Sequence, residues 1–395
     1  MDELNYLPFD CDNHYYEAED AFTRHVPREW QRRCVQWCEI NGRRHHIVGG
    51  KLSSAVANPT WDPIAKPGAL HEYFRGNPTG KSPLEMLKDR EPLPQEYMNK
   101  DARVDKIRQQ GLSAVWLFPT LGVLYEELLK EDIEAVKVLF RAFNKWLNED
   151  WGFNYQDTIF AAPYISLCDV DFVEELKSAL ANNAKVICIR PAAVLTADGY
   201  KSPADSMFDP FWNLLNESGI PLVIHAGDSG YSSQGYAEDG FGANFGGGAS
   251  YSPSIKAFNI ERAALDWLMT MSLQKMYERF PNLRIVSVEN GSSFLPDLFR
   301  KLPQQKNKLM GWFNEDPLEL FKEHVWINPF WEDDPYEVAD LMGPDRVVFG
   351  SDWPHIEGMP APLDYVMELK EFSVEDQKKI LLDNVTELNE PKPLR

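Results

Sequence analysis

The chain has 395 residues, 44% of them hydrophobic and 12% aromatic, which is enough to bury a large core. Its formal net charge of −21 excludes a general nucleic-acid binder, because nucleic-acid phosphates require a basic surface. No apolar run approaches the roughly 20 residues that cross a bilayer, and the N-terminal MDELNYLPFD lacks the pattern of a secretory signal. The five cysteines are scattered without the paired spacings of a disulfide framework. These features predict a cytoplasmic protein with a small-molecule partner and no membrane or nucleic-acid partner.

Strand and helix patterns alternate along most of the chain. The first strand, LPFDCD, is followed at about 28–100 by an irregular insertion rich in proline, glycine, tryptophan and charge. Then come, in chain order, the strand SAVWLFPTL, the helix DIEAVKVLFRAFNKWLNEDWGF, the strand TIFAAPYISL, the helix VDFVEELKSALANNA, the strand KVICIRP, the helix DPFWNLLNESG, the strand IPLVIHAGD, the helix ERAALDWLMTMSLQKMYERFP, the strand LRIVSVEN, the helix DPLELFKEH, the strand HVWINPF, the helix DPYEVADLMG, the strand DRVVFGSD and the helix SVEDQKKILLDNVTEL. The eight strands are near-continuously apolar, as in a parallel sheet buried on both faces. The alternation predicts one α/β domain over residues 1–395, folded as a (β/α)8 TIM barrel with an insertion after the first strand.

Two segments stand outside this alternation. The aromatic residues of the insertion suit a lid or a pocket wall, and its His45 and His46 are expected to be surface residues rather than ligands. The glycine-rich run GFGANFGGGASYS, after the fifth strand, is interpreted as a loop near the site. The insertion could also cover a partner subunit, so a homo-oligomer stays open.

Polar residues at the strand ends are the candidates for function, because barrel active sites lie at the carboxyl ends of the strands. Strand one carries Asp12 and His14, whose side chains share one face of an extended segment. Strand five carries His225 and strand eight carries Asp352. Each has a structural alternative, such as a helix cap or a hydrogen-bonded core histidine. Together, two imidazoles and two carboxylates at one end of a barrel predict a single divalent ion, with Zn favoured and Mn or Fe compatible.

Further strand-end residues are candidates for catalysis and substrate binding. Glu289 ends strand six and is expected either to activate a water or to orient one from behind the metal. Its neighbour Asn290 and Arg190, at the end of strand four, are predicted substrate contacts, although Arg190 could equally pair with a nearby acid. His355 is predicted to hydrogen-bond substrate or to act as a general acid, with a structural hydrogen bond as the alternative.

Four segments carry a family resemblance: the D-x-H of strand one, VIHAGD, FPNLRIVSVENG and FGSDWPH. Their order resembles the amidohydrolase-2 branch of the metal-dependent amidohydrolase superfamily, which includes aminocarboxymuconate-semialdehyde decarboxylase-like enzymes. The family has H-x-H or E-x-H in strand one, so Asp12 replaces the first member and His14 matches the second. The resemblance implies ligand roles for His225 and Asp352 as well. Glu289 stands where the family has a histidine, and the strand-four CIRP has no lysine to bridge two metals, which implies a single ion.

Three functions follow from these residues. The leading hypothesis is a metal-dependent hydrolase of a small carboxylated molecule, in which Asp352 and Glu289 handle the proton of a metal-activated water and His355 assists. The alternative is a non-oxidative decarboxylase (carboxy-lyase) of an aromatic or unsaturated acid, in which the metal holds the substrate and no water attacks. A non-catalytic ligand-binding barrel is the third.

Overall fold

The computed structural model describes residues 4–53, 55–56, 58–168, 171–231, 259–330 and 333–392. The glycine-rich run after the fifth predicted strand lies outside these residues. No helix within the described part of the chain is long and apolar enough to cross a membrane.

Seven regular barrel strands follow the predicted order. They are β1 (Phe9–Tyr15), β2 (Ala114–Pro119), β3 (Ile159–Ala161), β4 (Ile187–Ile189), β5 (Leu222–His225), β6 (Ile285–Val288) and β7 (Val325–Ile327). Every residue in them is buried, which explains why the sequences of β2 to β7 are largely apolar without alternation, whereas β1 (FDCDNHY) buries four polar residues. All neighbouring strands pair in parallel, β1 to β3 in one sheet and β4 to β7 in another.

Main-chain hydrogen bonds join the two sheets on both sides. Between β3 and β4, the nitrogen of Ile165 donates to the carbonyl of Cys188 at 2.9 Å. On the other side, Val348 donates to the last residue of β7 at 3.0 Å, and the carbonyl of Phe349 accepts from Cys11 of β1 at 2.8 Å. The eighth predicted strand is therefore an extended segment between β7 and β1 rather than a regular strand. The result is the predicted TIM barrel.

Helices occupy the connections between the strands. In chain order they are α1 (His71–Phe74), α2 (Pro83–Met86), α3 (Lys100–Gln109), α4 (Gly122–Leu129), α5 (Ile133–Asp150), α6 (Phe172–Ala181), α7 (Asp209–Ser218), α8 (Asn259–Leu273), α9 (Met276–Arg279), α10 (Leu295–Lys308), α11 (Pro317–His324), α12 (Pro335–Met342), α13 (Val374–Lys378) and α14 (Asn384–Asn389), with a π-helical turn at Lys379–Asp383. The predicted single helix ERAALDWLMTMSLQKMYERFP is divided into α8 and α9, because Lys275 between them has a left-handed backbone with φ of 57°.

The helix α5 shows how the sequence specifies these elements. Ala135, Leu139, Phe143 and Trp146 recur at intervals of three or four residues and are all buried on one face. The side chain of Asp132 accepts a hydrogen bond from the nitrogen of Ala135 at 3.2 Å and caps the first turn. Apolar spacing and a cap therefore agree on where this helix lies and begins.

The insertion contains more regular structure than its sequence predicted. The strands Val35–Ile40 and Arg43–Val48 form an antiparallel hairpin around the turn residues Asn41 and Gly42, whose φ angles of 53° and 75° suit an Asn-Gly turn. The expectation of a surface position is wrong for His46, which is 4% exposed and packs towards the barrel. Polar residues on the hairpin's exposed face had obscured the strand pattern.

Candidate metal centre

Three predicted ligands meet at the carboxyl ends of β1 and β5. His14 Nε2 lies 3.2 Å from Asp12 Oδ1, and His225 Nε2 lies 3.4 Å from the same oxygen. Glu289, directly after β6, brings its Oε2 to 3.6 Å from His225 Nε2. One ligand atom from each of these four residues lies within 4.8 Å of the other three. We call Asp12, His14, His225 and Glu289 the ligand cluster.

The fourth predicted ligand, Asp352, lies beside the ligand cluster. Its Oδ1 is 3.3 Å from His14 Nε2 and 2.6 Å from His355 Nδ1, so that it groups with these two imidazoles. A further group of possible ligand atoms joins Asp352 and His355 to Glu289 and to Glu357. The geometry thus gives Glu289 a position among the ligand atoms, whereas Asp352 faces both the ligand cluster and His355.

The backbone is unusual at both of the carboxylates that end β6 and the eighth extended segment. Glu289 has φ of 59° and Asp352 has φ of 55°, in the left-handed region that non-glycine residues seldom adopt. Such a conformation costs roughly 1 kcal/mol or more and persists where surrounding contacts impose it. The nitrogen of Asp352 donates to the carbonyl of Asp12 at 2.8 Å, which ties this turn to β1.

Hydrogen bonding around His355 determines where a proton lies. The hydroxyl of Thr120 donates its single hydrogen to the carbonyl of Tyr15 at 2.8 Å, so its oxygen accepts from His355 Nε2 at 2.9 Å. With Nε2 protonated, the 2.6 Å contact between His355 Nδ1 and Asp352 Oδ1 needs one further proton. Burial lowers the pKa of His355 and raises the pKa of Asp352, and both directions favour a neutral pair that shares this proton over an imidazolium beside a carboxylate.

Electrostatic repulsion among the carboxyl groups is strong. Burial raises the pKa of Glu289 well above its ordinary value, and the charges of Asp352 and Asp12 raise it further. Burial likewise raises the pKa of Asp352, with Asp12 and Glu357 adding to the effect. Within the described residues, no lysine or arginine forms an ion pair with these carboxylates. The group therefore lacks positive charge of its own.

His14 is held as a neutral imidazole. Burial lowers the pKa of His14 to about 3, and the charge of His355 contributes in the same direction. Burial alone would raise the pKa of Asp12, but the close imidazoles of His14 and His225 outweigh it and lower the pKa below its usual range. The cluster thus pairs an ionised carboxylate with imidazoles whose lone pairs are free for a cation.

Unpaired atoms point to a cation at this position. His225 Nδ1 donates to the carbonyl of Ala226 at 2.8 Å, which leaves Nε2 to face the cluster. Both ring nitrogens of His14 and Oδ2 of Asp352 are buried without a hydrogen-bond partner among the residues that the structure describes. Buried polar atoms are costly unless something pairs them, and a divalent ion among nitrogen and oxygen donors would do so. The residues present therefore fit one metal ion.

Arg190 is held by acidic residues of α4. Its Nη1 lies 2.6 Å from Glu127 Oε2 and donates to the carbonyl of Asp228 at 2.9 Å, and its Nε lies 3.3 Å from Glu126 Oε2. This is the ion pair that the sequence left open as the alternative to substrate binding. A substrate carboxylate would have to displace two buried partners, so the arrangement favours a structural role.

Asn290 is also engaged in the fold. It is 1% exposed, and its Nδ2 donates to the carbonyls of Ile224 at 2.9 Å and Val288 at 3.0 Å. The side chain therefore fastens the ends of β5 and β6 together. Contact with substrate through this group remains a prediction, and the burial of the amide does not favour it.

Sequence reasoning missed three residues of this region. Thr120 determines the tautomer of His355, Glu357 adds a carboxylate to the outer group, and Asp10 hydrogen-bonds behind the ligand cluster. Asp10 had a visible signal, because FDCDNH repeats an acid two residues before Asp12. Thr120 and Glu357 also had local signals, since Thr120 lies at the end of the predicted strand SAVWLFPTL and Glu357 follows His355 by two residues.

Comparisons with known proteins agree with this geometry. A family model described as amidohydrolase, Amidohydro_2, matches residues 87–388, which is more than half of the chain. An amidohydrolase from Mycobacterium avium subsp. paratuberculosis K-10 is 40% identical over 99% of both chains, with a TM-score of 0.92. Among curated proteins, none matches the chain.

Two decarboxylases share the fold at lower similarity. A 2,6-dihydroxybenzoate decarboxylase from Rhizobium is 15% identical with a TM-score of 0.55, covering 73% of this chain and 88% of its own. A 5-carboxyvanillate decarboxylase from Novosphingobium aromaticivorans DSM 12444, with bound manganese, is 14% identical with a TM-score of 0.59, covering 98% of this chain and 97% of its own. Because the family model matches more than half of its length, the chain belongs to the amidohydrolase-2 family that its strand-end motifs predicted.

Proposed function

We propose that this protein is a metal-dependent, non-oxidative decarboxylase of a small aromatic or unsaturated acid that carries an oxygen substituent beside its carboxylate. The observation that carries the proposal is the position of Asp352, whose Oδ1 lies 3.3 Å from His14 Nε2 beside the ligand cluster and 2.6 Å from His355 Nδ1. A carboxylic acid beside the ligand cluster can protonate a substrate carbon, whereas hydrolysis needs a base there. The activities named for two structural neighbours support the same reaction type.

The ligand cluster of Asp12, His14, His225 and Glu289 would hold one divalent cation. When bound, such an ion supplies a Lewis acid for the substrate carboxylate and its neighbouring oxygen. Nitrogen and oxygen donors of this kind suit Mn, Zn or Fe(II). The chain orients the ligands itself, since the bond from His225 Nδ1 to the Ala226 carbonyl sets the ring so that Nε2 faces the cluster.

Asp352 is the proposed proton donor. Its carboxyl hydrogen passes to the substrate carbon that bears the carboxylate, and the carbon–carbon bond then breaks. Carbon dioxide leaves, and the electron pair of the broken bond restores the unsaturated system. His355 holds the acid in place through the 2.6 Å hydrogen bond, and Asp352 regains a proton from solvent after product leaves.

Hydrolysis is the second candidate. It is favoured by Glu289, whose Oε2 lies 3.6 Å from His225 Nε2, because an ionised carboxylate at this position could accept a proton from a nucleophilic water. Hydrolysis stands second because the activities named for the two structural neighbours are decarboxylations.

Release of labelled carbon dioxide tests the proposal. We expect the manganese-loaded protein to release it from at least one member of a panel of carboxyl-labelled hydroxybenzoates and unsaturated acids. In Asp352→Asn we expect turnover with that substrate to fall roughly 10²- to 10⁴-fold, the usual contribution of a general acid. Asp364→Asn, outside the site, is the matched control and should retain full activity.

Two results would count against decarboxylation. One is a metal-loaded protein that hydrolyses a panel of esters, lactones or amides and releases no carbon dioxide from any acid. The other is full decarboxylase activity in Asp352→Asn, which would move the acid role to another residue.

A further inference from the structure

Asp10 lies behind the ligand cluster and is fully buried, with a side chain that is 0% exposed. Its carboxylate accepts four hydrogen bonds. Oδ1 accepts from the nitrogen of Asp12 at 3.1 Å and from the nitrogen of Ser351 at 3.0 Å. Oδ2 accepts from Asn13 Nδ2 at 3.0 Å and from Ser351 Oγ at 2.6 Å. One side chain thus joins β1 to the segment that carries Asp352.

The bonds within β1 span an irregularity in the strand. The pairing of β1 with β2 shifts register between Asp10 and Asn13, as at a β-bulge. Bulges bend a strand and re-aim the side chains near active sites. Because Asp10 bonds to both Asp12 and Asn13, its carboxylate holds the bulge from which Asp12 and His14 project.

The bonds to Ser351 act on the other side of the site. Ser351 precedes Asp352, which needs a left-handed backbone with φ of 55°. Its Oγ donates to Asp10 and accepts from the nitrogen of Trp353 at 3.1 Å, so it clamps the residues before and after Asp352. The carboxylate of Asp10 therefore sets the position of this turn relative to β1.

A buried arginine extends the network. Arg103 of α3 is 0% exposed and donates from Nη1 to Asn13 Oδ1 at 3.1 Å. It also donates to the carbonyl of His14. Arg103, Asn13, Asp10 and Ser351 form a continuous chain of buried polar side chains, and Asp10 is the acceptor at its centre.

We propose that Asp10 is a positioning residue of the metal centre, whose carboxylate sets the spacing between the ligands on β1 and the acid Asp352. Asp10 does not ligate the metal in this assignment; it acts through Asp12, Asn13 and Ser351. The inference rests on the metal centre of the proposed function and is independent of which reaction that centre performs.

Manganese binding to the full-length chain tests this role. The metal-free protein is titrated with Mn²⁺, and free and bound ions are counted by electron paramagnetic resonance. In Asp10→Asn the amide offers one acceptor oxygen and places an NH2 group against donors, so we expect 10- to 100-fold weaker binding. Leu298→Ala, a core truncation in α10 away from the network, is the control for general destabilisation and should bind Mn²⁺ as the wild type does.

Ser351→Ala removes one of the four donors and should weaken Mn²⁺ binding less than Asp10→Asn does. The double variant should lose less than the product of the two single effects, because both act on one contact. If Asp10→Asn fails to fold by circular dichroism, Ser351→Ala and Leu298→Ala decide the question. The positioning role is overturned if Asp10→Asn binds Mn²⁺ with wild-type affinity. The same holds for Ser351→Ala where that variant has to decide. It is also overturned if the deciding variant and Leu298→Ala lose equal amounts of Mn²⁺ affinity.

The wild-type protein separates this inference from the proposed function. If it binds no Mn²⁺, the metal centre and the positioning role both fall. If it binds Mn²⁺ and the variants behave as expected but no acid releases carbon dioxide, only the decarboxylase proposal falls.

Discussion

Single residues at the barrel mouth differ in how their charge is compensated. Arg190 is paired with two buried glutamates of α4, whereas Asp12, Glu289 and Asp352 have no cationic partner among the described residues. A compensated buried charge is stable as it stands, and an uncompensated group of carboxylates calls for a cation or a proton. This contrast separates a structural charge from the functional ones.

Arg190→Met tests that separation. Removing the guanidinium leaves Glu126 and Glu127 without their buried partner, so we expect the free energy of unfolding to fall by about 3 kcal/mol. Urea denaturation measures the loss, and Arg108→Met, at a side chain that is 61% exposed, should change stability by less than about 1 kcal/mol. Unchanged stability with a raised KM would instead restore Arg190 as a substrate ligand.

At the scale of elements, the hairpin of the insertion docks on α4 through a polar contact. His46 Nδ1 lies 2.6 Å from the hydroxyl of Tyr125, and the ring of Trp37 covers the imidazole at 3.9 Å between centroids. Burial, with a smaller contribution from Arg44, lowers the pKa of His46 to about 4. The docking is thus built for a neutral histidine.

That contact makes stability depend on pH. The pKa of His46 is about 4 in the folded chain, and its ordinary value of 6.5 applies to the unfolded chain. Between pH 4 and pH 6.5 the unfolded chain therefore binds more protons than the folded chain. The stabilisation is complete above pH 6.5 and is lost as pH falls towards 4, by about 3 kcal/mol. The free energy of unfolding of the metal-free protein, measured at pH 7 and at pH 4, should decline less in His46→Phe than in the wild type.

His45→Phe is the control for the pH experiment, because this neighbour on the same strand is only partly buried. In His45→Phe the free energy of unfolding should fall between pH 7 and pH 4 by as much as in the wild type. An equal decline in the wild type and in His46→Phe would show that another group dominates between pH 7 and pH 4.

For the whole molecule, the ligand cluster links β1, β5 and β6 at one end of the barrel. These strands are far apart in the chain, and a cation bound to all three would stabilise only the folded state. Stability should therefore rise with metal concentration, by about 2.7 kcal/mol when free Mn²⁺ is 100 times the Kd. Thermal unfolding at increasing Mn²⁺ measures the effect, and His225→Asn should weaken the dependence. A melting temperature that does not change with Mn²⁺ concentration would contradict a metal site in this cluster.

Several features of the protein were predictable from local sequence. The apolar strands and the helical spacings between them indicated the barrel, and their polar ends indicated Asp12, His14 and His225 as neighbours. The sequence did not predict which buried side chains would contact each other across the barrel. The ion pair of Arg190, the burial of His46 and the position of Glu289 among the ligand atoms all depend on residues distant in sequence.

The sequence by itself determined the order of the elements and the chemical types at the strand ends, because hydrophobic periodicity and side-chain chemistry are local properties. Only the tertiary structure decided which acid lies among the ligand atoms and which one contacts His355. Those outcomes depend on a bulge in β1, on the left-handed backbone of Glu289 and Asp352, and on Thr120 meeting His355 from 235 positions away. Such distances and dihedral angles arise only when the barrel closes, since no segment sets them on its own.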